Sequence, residues 1–161
     1  MMALLEFIED TGLATWVRES PSIFAYTFVL SLHAIGLSII VGISSMVAFR
    51  MLGAFRDIPI EPMFKLFPVM YLGFGINAIS GVLLLSANAT GMLTMVMFYL
   101  KMAFIVAAIV CLRLIRHRFT TGNAEFESRG LAYAVLACWL GAIIAGRLTA
   151  YPYFVATWFG S

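Results

Sequence analysis

Residues 22–49 read SIFAYTFVLSLHAIGLSIIVGISSMVAF, and this stretch decides the fold. His33 is the only acidic or basic side chain in it. A helix crosses the hydrocarbon of a bilayer with roughly 20 apolar residues. Backbone polar groups have no water partner there, so the segment must be helical. Three further stretches of the same kind follow at about 66–87, 93–114 and 131–151. Ser20 and Pro21 read as the cap and first-turn proline of the first span. Pro59 and Pro62 break the chain before the second. Asn88-Ala89-Thr90-Gly91 reads as a tight turn, and Thr120-Thr121-Gly122-Asn123 punctuates the last connection.

Composition agrees with that reading. Of 161 residues, 63% are apolar or aromatic and 11% are charged. Soluble proteins carry roughly 25% charged residues. The sequence therefore excludes a water-soluble globular domain, a disordered chain and a nucleic-acid binder. The net charge of +2 argues for no polyanionic partner. Cys111 and Cys138 both lie in apolar runs and form no CxxC pattern.

The expected fold is all-α: one integral membrane domain over 1–161, a four-helix bundle with up-down-up-down topology. Residues 1–20 precede it. Leu5, Ile8, Gly12 and Trp16 fall on one helical face and Glu6, Glu9 and Asp10 largely on another. This predicts an amphipathic helix lying on the membrane surface. Arg50, Arg56, Lys65, Arg113, Arg116, Arg118 and Arg129 flank the first and third connections, whereas Arg18 is the counterpart on the opposite side. The basic side is assigned to the cytoplasm. Both termini and the Asn88 turn then face outward, into the periplasm of a bacterial inner membrane. Tyr151, Tyr153, Phe154, Trp158 and Phe159 fit an outer aromatic belt.

Ionisable groups inside spans are rare and mark function. At 1.5 Å per residue, His33 lies roughly 16 Å below the outer surface and Lys101 roughly 12–15 Å. Asn77 reaches a similar depth, and Arg147 lies roughly 6 Å down. Each span thus contributes one strong polar group to the outer half. Each also has a plainer explanation: His33 and Asn77 as interhelical hydrogen bonders, Arg147 snorkelling to headgroups. Lys101 needs an anion, a wet cavity or deprotonation, and no Asp or Glu occurs in any span. Haem b offers both an iron for an imidazole and two propionates. On this reading His33 ligates iron, Lys101 and Arg147 bind propionates, and Asn77 hydrogen-bonds nearby. Gly36, one turn after His33, leaves room for a flat ring, as could Gly73 and Gly75. His117 sits at the far end of the third span and cannot share that iron.

A second reading is copper. Met92, Met95, Met97 and Met102 crowd the outer part of the third span, and thioethers suit Cu(I). His33, Met92, Met95 and Met97 would then form a copper-binding or uptake path. A third reading is a structural assembly subunit whose polar layer fixes helix register. No GxSxG, HExxH or phosphate-binding loop is present, so the chain reads as a subunit rather than an enzyme by itself. Small residues at Ala134, Cys138, Gly141 and Ala145 favour association, as a homo-oligomer or within a larger membrane complex. The outer surface is the expected docking side for a periplasmic redox partner.

Leu32-His33-Ala34-Ile35-Gly36 through Gly42 to Arg50, Tyr99-Leu100-Lys101, and Gly146-Arg147-Leu148-Thr149-Ala150-Tyr151 carry a resemblance. Over roughly Leu13 to Tyr151 the chain resembles a family of small four-helix bacterial inner-membrane proteins. More distantly it is similar to the copper-resistance D membrane domain. It is also similar to the bacterial membrane protoporphyrinogen oxidase, a haem-associated protein with a His in one span and a Lys in a later one. The resemblance implies ligand and polar-site roles for His33 and Lys101, and places Arg147 in a terminal motif of the close family. The chain lacks the histidine pair of many b-type cytochromes.

Overall fold

The computed structural model describes residues 2–55, 57–121 and 129–151, and every regular element among them is helical. In chain order these are α1 (Met2–Glu9), α2 (Gly12–Glu19), α3 (Tyr26–Met51), α4 (Glu61–Phe64), α5 (Phe67–Ala87), α6 (Ala89–Leu93), α7 (Val96–Thr120) and α8 (Arg129–Leu148). Four segments are long and apolar enough to cross a membrane: Tyr26–Met51, Glu61–Ala87, Val96–Thr120 and Arg129–Leu148.

The boundaries differ from the expected ones for local reasons. Residues 1–20 form two helices, not one. Thr11 takes an extended conformation, its hydroxyl donates to the Ile8 carbonyl, and Gly12 starts the second helix. The expected apolar face is split accordingly: Leu5, Ala14 and Val17 are buried, while Leu13 and Trp16 are exposed. The first span begins at Tyr26, so Ser20 and Pro21 do not open it. They lie in an irregular stretch where Ser20 accepts from the Ser22 N–H and Ser22 from the Phe24 N–H. The tight turn expected at Asn88 is the lead-in to α6. The third span continues to Thr120, which puts Arg113, Arg116, His117 and Arg118 on the helix. Arginine is a good helix former, and positive charge in a last turn suits the negative end of the helix. Arg56, Gly122, Asn123 and the aromatic tail beyond Tyr151 lie outside the described residues.

The end of α3 shows how the sequence stops a span. Gly53 has φ 99°, which a side chain disfavours. Its N–H reaches the Arg50 carbonyl at 3.2 Å, and the Ala54 N–H reaches Phe49 at 3.0 Å. This pair of bonds is the Schellman arrangement that satisfies the last carbonyls of a helix. Arg50 Nε then donates to the Ile58 carbonyl at 2.5 Å, tying the turn back to the helix.

The chain divides into two compact units. One comprises Met1–Ile40 and Pro68–Met95, the other Val41–Phe67 and Val96–Ser161. In the first, α1 packs on α6, and the front of α3 packs on α5. In the second, α7 and α8 pack against each other extensively. Ala108, Leu112 and Ile115 of α7, and Ala132, Val135, Trp139, Ala142 and Ala145 of α8, form its buried stripes.

Candidate functional site: a histidine clasp between α3 and α5

His33 is the chemically most versatile group in the first unit, and α5 supplies its partners. Its Nδ1 lies 3.0 Å from the Asn77 carbonyl oxygen and 3.2 Å from Ser80 Oγ. A carbonyl only accepts, so Nδ1 carries the proton and donates. The Ser80 hydroxyl donates to the Ile76 carbonyl at 2.6 Å, which leaves its lone pairs for His33. In return, Asn77 Nδ2 donates to the His33 carbonyl at 2.8 Å. The two residues therefore grip each other, side chain to backbone in both directions.

Glycines let the helices come this close. A Cβ on Gly36 would sit 2.7 Å from Asn77 N and 2.7 Å from the Gly73 carbonyl. A Cβ on Gly73 would meet Ile39 at 2.7 Å, and one on Gly81 would meet His33 Cε1 at 3.1 Å. The order of these contacts, 33 with 80 and 81, 36 with 73 and 77, 39 with 73, makes α3 and α5 antiparallel in this unit. The room expected beside Gly36 for a flat ring is taken by α5 backbone, so Gly36 serves helix approach. Gly73 does the same. Gly75 has nothing within 4 Å of its Cβ position and sits about 200° around α5 from Gly73.

Asn77 thus fills the interhelical role that its residue type suggests in a membrane. Ser80 is the second partner, and the sequence marks it only weakly. Its signal is the three-residue spacing from Asn77, which puts both on one face of an otherwise apolar helix.

In the second unit, the aliphatic stem of Lys101 runs past Gly146, whose Cβ position lies 3.5 Å from Lys101 Cδ. The Phe104 ring covers Gly141. These pairs make α7 and α8 antiparallel. Lys101 is half-buried, and among the described residues it has no hydrogen-bond or ion-pair partner. Arg147 occupies the last turn of α8 and is exposed.

The methionine series does not form one helical face. The Thr94 hydroxyl bonds the Thr90 and Gly91 carbonyls at 2.9 and 3.1 Å, and α6 ends at Leu93. Met92 is therefore on α6, Met95 lies between helices, and Met97 begins α7 and is buried. No group of three or more His, Cys, Asp or Glu gathers as a metal site among the described residues.

A separate polar link closes the first unit. The Glu9 carboxylate accepts the Thr90 backbone N–H at 2.6 Å, at the start of α6. That bond holds the Glu9 carboxyl below its ordinary value of 4.5, with a smaller contribution from Arg18.

The donor chemistry around His33 fits an iron ligand. Metal-bound imidazoles commonly commit their second nitrogen to a backbone carbonyl. His33 does so through Nδ1, which places the ring lone pair on Nε2. No protein-family model, no curated protein and no solved structure matches the chain.

Proposed function

We propose that the protein is a haem-b-binding subunit of a bacterial inner membrane, with His33 as iron ligand. The observation that supports this reading is the Nδ1–H bond from His33 to the Asn77 carbonyl. That bond sets the tautomer and fixes the ring plane. Ser80 holds the same proton from a second direction. Asn77 anchors the His33 backbone, so the imidazole is positioned by one helix pair. Haem b, when bound, supplies a one-electron iron couple. The subunit relays electrons near the outer face or anchors a periplasmic redox partner, alone as a homo-oligomer or within a larger complex.

Within the second unit, the same reading assigns Lys101 and Arg147 to anionic groups such as propionates. The ground is charge alone: neither α7 nor α8 contains an Asp or Glu. The four spans run up-down-up-down, the arginine-rich connections lie in the cytoplasm, and α1 and α2 lie on the outer surface.

Colour tests the proposal. Protein purified from haem-replete cells shows a Soret band, and His33→Ala removes it. A colourless preparation, or one equivalent of copper with no haem, overturns it.

A further inference from the structure

The basic end of α7 builds a second kind of site, independent of the haem reading. Arg113, Arg116, His117 and Arg118 crowd its last turns, and α7 contains no acidic residue. Arg116 is the organised member. Its guanidinium carbon lies 5.2 Å from the centroid of the Phe67 ring. That ring is 2% exposed, so it is a fixed platform. Phe64 meets Phe67 edge-on at 5.4 Å and Phe119 at 5.8 Å. The aromatic cluster therefore joins α4, the first residue of α5 and the end of α7.

Two further cations lie close to this cluster along the chain. Lys65 follows Phe64 directly, and Arg113 lies one turn before Arg116 on the same helix face. All three are exposed. Among the described residues none of their side chains makes a hydrogen bond or ion pair, although Glu61 stands one turn before Lys65. A guanidinium held over a ring by the cation–π attraction still has N–H groups for an anion, and phosphate accepts two such N–H groups side by side. The cluster lies at the end of a span, the level at which headgroups sit.

We infer that Arg116, Lys65 and Arg113 bind the phosphate of an anionic phospholipid. Arg116 grips the phosphodiester through its edge, and the other two cations flank it. Phe64 and Phe119, part-exposed, match the start of the lipid's glycerol and acyl region, while the buried Phe67 ring only seats Arg116. A free anion such as inorganic phosphate has no such apolar half beside its charge.

Native mass spectrometry and thermal unfolding of the detergent-purified protein test this. The probes are phosphatidylglycerol, phosphatidylcholine and inorganic phosphate. Phosphatidylglycerol is retained and raises the unfolding midpoint, and the other two do neither. Arg116→Gln and Lys65→Gln each weaken phosphatidylglycerol binding by roughly fivefold. Arg116→Lys, which keeps the charge but not the planar fork, loses part of the binding. Arg18→Gln, outside the cluster, leaves it intact. Equal retention of the two lipids, or unchanged binding in Arg116→Gln, overturns the inference. A midpoint shift reproduced by inorganic phosphate alone also overturns it, in favour of a free-anion site.

Discussion

His33 and Asn77 exchange side-chain-to-backbone hydrogen bonds across α3 and α5, at 3.0 and 2.8 Å. Each residue both donates and accepts through the other, so the relationship fixes rotation and height of one helix against its neighbour. Polar links of this kind serve as register pins in a membrane, where apolar surface gives little preference between neighbouring helices.

Asn77→Ala removes one of the two bonds and keeps the carbonyl that receives Nδ1–H. It should cost about 1 kcal/mol of stability and retain His33 chemistry. Thermal unfolding in detergent, paired with haem content, checks both halves.

Gly36→Ala should be far worse than its single methyl suggests. The new Cβ would press on the backbone of Asn77 and Gly73, which cannot turn aside as a side chain can. A loss of about 1–3 kcal/mol is expected from overpacking. Gly75→Ala, with open space around it, is the matched control and should be near neutral.

Glu9 gives the first unit a pH dependence. Its carboxyl titrates below its ordinary value because the ionised form accepts the Thr90 N–H. Its contribution is therefore complete above about pH 4.5 and is lost as pH falls through the lower folded value. Hydrogen exchange in α1 and α6 should accelerate on acidification through that range. Glu9→Gln should abolish the dependence while leaving an acceptor in place.

Lys101→Met preserves the stem that packs beside Gly146 and deletes the charge. If an anionic cofactor group balances that charge, haem content should fall while the unfolding midpoint of the apoprotein holds or rises. Pyridine haemochrome and thermal scans, run together, check this. Undiminished haem would withdraw the charge role proposed for Lys101.

Much of this architecture was legible in the sequence because lipid imposes so few options. Four charge-poor stretches read directly as four long helices. Asn77 and His33 stood out as polar groups in apolar runs, and their pairing followed once α3 met α5. What stayed hidden depended on local backbone detail or on distant contacts. The break at Thr11 replaced one helix by two, and Thr94 ended α6 and separated Met92 from Met97. Gly36 read equally as space for a ring or as a packing point, and only the position of the Gly73 carbonyl decides it. Ser80 was obscured because serines are common in these spans, as at Ser31 and Ser38, where each bonds its own helix.

The bond between Glu9 and Thr90 joins residues 81 positions apart. During synthesis at about 5–20 residues per second, Glu9 leaves the ribosome roughly 4–16 s before its Thr90 donor exists. Two whole spans are made in that interval. The first helix must wait, undocked, until the α5–α6 corner is in place. Glu6 and Glu9 of α1, with Asp10 just after it, give that waiting segment charges for water to solvate. The α1 segment thus docks only after α5 and α6 exist, and its docking closes the first unit.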